Sequence, residues 1–307
     1  MLKPAAAQPV DSEILEAIPL LAGRPAGHWQ FEPMGGITNR TYKVSEGPLS
    51  QERGAYVLRI AAESTGYLDR AAEAHNARLA GQAGIAPAVL HADARAMVTA
   101  YLAGARPLTY ADLGLPEHLE QVAATLRRLQ QVRAPFHGAR HPFGEIDKYL
   151  NLHRDPRSLD LRRRAEPVAA ALARVQLPAV PAHVDPNPAN FLLCADGALR
   201  MVDWEFSAMT DPCWDIASIL SMLPYDAARM RRFSEAIVGQ VSDAFLARVA
   251  LFRTAMYLVA GSWCAMEAAF RNDGALRQMA EGYLDRCAEA LAHPELPRWL
   301  SGQFPSA

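Results

Sequence analysis

Three oxygen-bearing side chains, Asp185, Asn190 and Asp203, have the types and spacing of a group that could move a phosphoryl unit. Asp185 lies in the run H-V-D-P-N-P-A-N at 183–190. Pro186 and Pro188 fix their own φ and push their predecessors toward extended backbone, so the loop holds its carboxylate still. Two short apolar runs follow, 191–194 and 199–202, joined by Ala195-Asp196-Gly197, which reads as a tight hairpin with Gly197 at positive φ. The hairpin doubles the chain back, so Asp203 returns beside Asn190 although 13 residues separate them. A carboxylate and an amide oxygen side by side suit a hard cation such as Mg²⁺. With Asp185 facing the same spot, a base can accept a hydroxyl proton while the two ligands hold Mg²⁺ against nucleotide phosphates. HxD alone and Asp-Gly hairpins alone are common; the triplet in this context is not.

The elements that must position these residues fall into two sets. Short aromatic or β-branched runs at 28–31, 41–44 and 56–60, split by Gly35-Gly36 and Gly47-Pro48, predict a hairpin sheet. The turn Met34-Gly35-Gly36-Ile37-Thr38-Asn39-Arg40 has the glycines that let backbone approach a phosphate closely, though a paired glycine is more often only a turn. An alanine-rich helix is expected over 68–82, closed by Gly84-Ile85-Ala86-Pro87, with further strands at 88–91 and 96–101. From Pro116 helices dominate: 119–133, 146–152 and 158–175 before the catalytic run, then 214–222, 227–238, 243–272 and 275–293. The segment 243–272 is apolar almost all round, the mark of a buried helix.

The run from His183 to Ala217 resembles the HxDxxxxN and D-[WF]-E block of the choline/ethanolamine kinase and aminoglycoside phosphotransferase superfamily, and D-W-E-F-S-A-M-T-D-P-C-W-D-I-A is most similar to its bacterial choline kinase branch. The resemblance implies an α+β, two-lobed protein-kinase-like fold. A small five-stranded antiparallel-sheet lobe at 1–102 would bind nucleotide, with 1–25 peripheral, and a larger, mainly helical lobe at 103–307 would carry the catalytic loop and acceptor site. It further implies ATP and Mg²⁺ as cofactors, Asp185 as catalytic base, Asn190 and Asp203 as metal ligands, His183 as a structural residue and Asp215 as a brace of the catalytic loop. G-G-I-T-N-R-T-Y-K-V is similar to the family's phosphate-covering loop, which assigns Gly36, Thr38 and Asn39 to nucleotide contacts. Arg59 stands where protein kinases carry a strand lysine, and Glu73 would orient it by an ion pair. Backbone around Thr99 to Tyr101 would meet adenine.

A quaternary ammonium acceptor needs an aromatic and acidic cage in place of its water. Trp204 and Glu205 follow Asp203 directly, while Trp263, Met266 and Glu267 share a helix face by i+3 and i+4 spacing. Trp263 resembles the first tryptophan of the family's W-x-x-W pair; Met266 replaces the second, and Phe206 stands where tyrosine is frequent. The expected activity is transfer of the γ-phosphoryl group of ATP to a small-molecule alcohol, namely choline, ethanolamine or a related amino alcohol. Aminoglycosides, thiamine and amino sugars are the alternative acceptors, and an inactive nucleotide-binding scaffold is the other class.

Bulk properties agree with this reading. The chain has 307 residues, 31 basic and 33 acidic, for a formal charge of −2. Its longest basic cluster, Arg162 to Arg164, has no interleaved aromatics, which argues against a nucleic-acid partner. No leader or membrane-spanning run is evident, so no membrane partner and a cytoplasmic location are expected; a homodimer is left open. Cys194, Cys213, Cys264 and Cys287 lack zinc-site spacing and read as reduced, mostly buried thiols.

Overall fold

The computed structural model describes residues 10–25, 27–35, 39–46, 55–61 and 68–305. Its contacts divide into two compact units, the first made of 1–108, 132–137 and 189–207 and the second of 109–131, 138–188 and 208–307.

In the first unit the described strands β1 (Trp29–Gly35), β2 (Asn39–Glu46), β3 (Tyr56–Ala61), β4 (Val89–Ala92) and β5 (Ala96–Ala100) form an antiparallel sheet in the order β1-β2-β3-β5-β4. Side chains alternate across a strand, so Tyr42, Val44, Leu58, Ile60 and Val98 bury one face. Arg59, between Leu58 and Ile60, is thereby turned to the other face. Helix α1 (Ser12–Ala17) packs on the apolar face through Ile14, with Ile18 and Leu21 beyond its end, so the N-terminal segment contributes to this core. Fully burying such a side chain contributes roughly 1.5–3 kcal/mol.

Helix α2 (Arg70–Gln82) starts at Asp69, whose carboxylate accepts the Ala72 N–H at 3.0 Å. That cap sets where the first turn, and with it Glu73, must lie. A second sheet joins β6 (Arg106–Pro107), β8 (Phe191–Leu193) and β9 (Leu199–Met201). The expected hairpin is present: Phe191 pairs with Met201 and Leu193 with Leu199, and Gly197 takes φ 78° at the turn. Val202 N–H then donates to Asn190 O at 2.9 Å, which brings the start and end of the hairpin together.

The second unit is built on α9 (Asp243–Arg271), against which α4 (Pro142–Leu152), α7 (Cys213–Ser221) and α10 (Gly274–Leu291) pack. By length and composition alone α9 could cross a membrane, contrary to the expectation that no segment could; 72% of its apolar window is buried inside the protein, which makes it a core helix here. Gly261 explains the closeness of α9 and α10, since a Cβ there would lie 2.6 Å from Leu284 Cδ2. Helices α3 (Pro116–Gln130) and α8 (Ala227–Val238) lie side by side, and β7 (Val180–Ala182) pairs with β10 (Ala208–Thr210). The single helix expected over 158–175 is two, α5 (Pro156–Arg164) and α6 (Glu166–Arg174), broken at Ala165. Pro167 accounts for the break, because it has no N–H to continue the first helix and fits the opening turn of the second. A last short helix, α11 (Leu296–Leu300), had no counterpart in the sequence reading. All four cysteines are free; Cys194 is half-buried and the others buried.

Candidate active site

In the first unit the charged residues meet in one buried group. Arg59 on β3 reaches Glu73 Oε1 at 2.7 Å, Asp203 Oδ1 at 2.6 Å and Glu205 Oε2 at 3.4 Å. Arg70, one turn before Glu73 on α2, holds Glu73 Oε2 at 2.7 Å and Glu205 Oε2 at 3.4 Å, and Asn39 Nδ2 donates to the same Glu205 oxygen at 2.8 Å. Burial alone would lower the Arg59 pKa, but Asp203, then Glu73 and Glu205, raise it well above the usual guanidinium value.

Two guanidiniums face three carboxylates, leaving one negative charge over, the sign a divalent cation requires. Oxygens of Glu73, Asp203 and Glu205 lie within 4.8 Å of one another. The side chains of Glu73 and Glu205 are only 4% and 3% exposed and are spent on Arg59 and Arg70, whereas that of Asp203 is 38% exposed. Of the three, Asp203 therefore has surface left for an incoming ion, and the hairpin brings its neighbour Val202 against Asn190. Oxygen donors of this kind fit Mg²⁺, which keeps several waters and takes few protein ligands. Asp203 adopts the left-handed conformation, φ 69° and ψ 63°, and the 3₁₀ turn Trp204–Phe206 that follows it directs Glu205 to α2. Such a conformation costs a non-glycine residue roughly 1–3 kcal/mol and persists only where the surroundings impose it.

The catalytic loop in the second unit is fixed by a different device. Asp215, in the first turn of α7, accepts the N–H of His183 at 2.8 Å on one oxygen and that of Val184 at 2.9 Å on the other. The Trp214 indole donates to Val184 O at 2.8 Å. Val184 sits at φ 74°, unfavourable for a β-branched residue, and these three bonds hold it there. Burial lifts the Asp215 carboxyl to about 6, against the downward pull of the two amides. The next residue, half-buried Asp185, is thus carried on a backbone whose two preceding residues are pinned.

The acceptor-side candidates separate. Met266 is 0% exposed and Trp204 is buried, its Nε1 donating to Met201 O at 3.1 Å and its ring edge-on to Phe136, so both pack rather than line a cavity. Glu205 belongs to the arginine group. Trp263 is half-buried on α9, and Glu267 is buried with one oxygen 2.5 Å from Arg271 Nε. Cys264, between them, has its thiol pushed up to about 12 by burial, and by the Asp185 and Glu267 carboxylates, which lie within electrostatic reach of it. Burial likewise raises the Tyr283 phenol, together with Tyr110, to which it is hydrogen-bonded, and with Cys264 and Asp185. Tyr110 and Tyr283 thus join this group, although sequence reasoning did not find them. The expected phosphate-loop residues Gly36 and Thr38 lie outside the described residues; Asn39 is held by Glu205 as above. Thr99 stands in the sheet opposite Val57 and Val89, and Tyr101 places its N–H on Ala55 O at 3.3 Å with Lys43 Nζ 4.5 Å from its ring centre.

Comparison with known proteins meets this arrangement. Residues 32–253 match the model of the phosphotransferase enzyme family. Protein LicA of Haemophilus influenzae is 29% identical over 199 residues, which are 62% of this chain and 57% of that protein; with a second LicA sequence covered to 65%, the chain spans less than two thirds of the curated relatives it matches. The crystal structure of a choline/ethanolamine kinase family protein from Mesorhizobium loti superposes with a TM-score of 0.77 at 31% identity, covering 94% of this chain and 96% of that one. Choline kinase LicA from Streptococcus pneumoniae, 21% identical over 86% of this chain and 93% of its own, shares the fold with a TM-score of 0.73. An α+β kinase-like fold, a family match over most of the length and a relative at nearly full coverage place the chain in the phosphotransferase enzyme family, among its choline/ethanolamine kinase-like members.

Proposed function

We propose that the protein is an ATP- and Mg²⁺-dependent kinase that phosphorylates the primary hydroxyl of choline, ethanolamine or a related amino alcohol. The first unit would hold the nucleotide and the second the acceptor. The observation that carries the choice of acceptor is the surroundings of Cys264. The proposed base Asp185 and the carboxylate of Glu267 both act on that thiol and Tyr283 is in reach of it, so anionic groups and an aromatic ring come together where a cationic alcohol would present its oxygen, and Trp263 lies on the same stretch of α9.

In this reading Asp185 accepts the hydroxyl proton as the oxygen attacks the γ-phosphorus and the bond from that phosphorus to the β,γ-bridging oxygen breaks, releasing ADP. A positioned base contributes typically 10²- to 10⁴-fold in rate. Arg59, steered by Glu73, neutralises phosphate charge, and Asn39 contributes on the nucleotide side. Asp203 and Asn190 would hold Mg²⁺, which supplies further charge neutralisation at the phosphates. Glu267 and the rings of Trp263 and Tyr283 orient the ammonium group, and Asp215 keeps Asp185 in place.

The test is a panel of alcohols with MgATP, read by ADP release and phosphorus NMR of the product. Choline or ethanolamine should give the highest kcat/KM. Replacing choline with its uncharged isostere 3,3-dimethylbutan-1-ol should cost roughly tenfold or more, as loss of a desolvated cation–π contact implies. Preference for aminoglycosides or amino sugars would overturn the acceptor assignment, and thermal stabilisation by MgATP with no turnover on any alcohol would indicate a binding scaffold instead.

A further inference from the structure

Asn76 on α2 is completely buried, and its carboxamide joins three segments of the first unit. Oδ1 accepts the His137 N–H at 2.7 Å, while Nδ2 donates to His137 O at 3.1 Å, to Ser207 O at 3.0 Å and to Ser207 Oγ at 3.1 Å. The backbone N–H needs an oxygen and the two carbonyls need a donor, so the partners themselves fix which end of the amide is which. Among side chains of this size, leucine could make none of these bonds and aspartate would set a carboxylate against two carbonyls.

Ser207 passes this hold on. It closes the 3₁₀ turn Trp204–Phe206, with its N–H on Trp204 O at 3.0 Å and its hydroxyl donating to the same oxygen at 2.6 Å. Trp204 follows Asp203, so the backbone next to the left-handed Asp203 is tied through Ser207 to α2. On the far side of the junction Phe136 packs edge-on to Trp204. His75, adjacent to Asn76, donates to Pro135 O at 3.3 Å and stacks on His137 with ring centres 3.6 Å apart. Glu73 lies one turn earlier on the same helix, so α2 grips this turn in two ways, by charge through Glu73, Arg59 and Arg70 and by neutral bonds through Asn76. The charges respond to an arriving phosphate or cation; the buried, neutral amide does not.

We propose that Asn76 is a positioning residue for the divalent cation: acting through Ser207, it sets the conformation in which Asp203 presents its oxygens, without itself touching the ion or the nucleotide. The role rests on Asp203 as the metal ligand, as proposed above. It is tested by Mn²⁺ binding to the full chain in the presence of ATP, followed by electron paramagnetic resonance, beside amide hydrogen exchange of the metal-free chain. Asn76→Leu, close in size but unable to hydrogen-bond, should weaken Mn²⁺ about 10- to 100-fold, the range for losing an outer support of a metal ligand. Ser207→Ala spares the Asn76 bond to Ser207 O and should weaken it less; it decides the matter where Asn76→Leu fails to fold. In both, the amides of 204–207 should exchange faster while those of His183 and Val184 keep wild-type rates. His75→Ala loosens the same junction away from Asp203 and should leave Mn²⁺ affinity unchanged, which separates positioning from a general loss of stability. Wild-type Mn²⁺ affinity in Ser207→Ala and in folded Asn76→Leu would overturn the role, as would an equal loss in His75→Ala. Asp203→Ala tells the two readings apart: if it alone loses the ion, the positioning role fails, and if it binds Mn²⁺ like the wild type, the ligand assignment fails and the role falls with it.

Discussion

The two groups of candidate residues, one in each unit, are held by opposite means. Around Arg59 the first unit uses charge against charge, with Glu73, Asp203, Glu205 and Arg70 in reach of one another, and such pairs can exchange partners when a cation or phosphate arrives. Around Asp185 the second unit uses backbone, since Asp215 and Trp214 fix the amides and carbonyl of residues that no ligand replaces. A nucleotide changes its charge during the reaction, so its holders must be able to yield. A base must meet one proton at one place, so its support must not.

That contrast can be broken from either side. Glu205→Ala should have the largest effect, because it removes a buried carboxylate and leaves buried Asn39 and two partly buried arginines short of an acceptor; a loss of about 3–5 kcal/mol is expected in urea unfolding, with a raised KM for ATP. Asp215→Asn should act on kcat instead. It sets an amide donor against the His183 or Val184 N–H, and misplacing the base slightly should lower kcat about 10²-fold with KM for ATP nearly unchanged. A pH series separates the devices further. The Asp215 carboxyl moves from 3.8 to about 6 on folding, so its contribution to stability is complete below about 3.8 and is lost as pH rises through about 6. Compared with Asp215→Asn, the wild type should therefore gain on the order of 2–3 kcal/mol of relative stability between pH 7 and pH 4. Over the same window kcat should fall with a midpoint near 6, as the carboxylate that clamps the loop becomes protonated. Val184→Gly should give the smallest change, about 1 kcal/mol of added stability from relief of the positive φ, measurable as a raised midpoint in urea.

Much of this was legible in the sequence for local reasons. The hairpin from Asn190 to Asp203 needed only two apolar runs and a Gly197 turn, and Asp196 Oδ1 does accept the Ala198 N–H at 3.0 Å to tighten it. The Arg59–Glu73 pair, present at 2.7 Å, was expected from the likeness to kinases and not from local pattern. Glu205 was not legible as part of that group, because nothing in D-W-E signals that Asp203 adopts a left-handed conformation and turns the next residues toward α2. Tyr283 was hidden for another reason: in a helix with alternating faces a tyrosine at one edge looks like an ordinary surface residue, and only packing brings it near Asp185. The break at Ala165 did have a signal in Pro167, which the apolar periodicity of 158–175 outweighed.

The most direct measurement is nucleotide-dependent Mn²⁺ binding, by electron paramagnetic resonance, paired with turnover in the wild type, Asp203→Ala and Asp185→Ala. If Asp203 is the metal ligand and Asp185 the base, the wild type binds Mn²⁺ with ATP and turns over, Asp203→Ala loses both, and Asp185→Ala keeps the metal while losing about 10²- to 10⁴-fold in rate. Undiminished metal binding and turnover in a folded Asp203→Ala, or full turnover in Asp185→Ala, would contradict it.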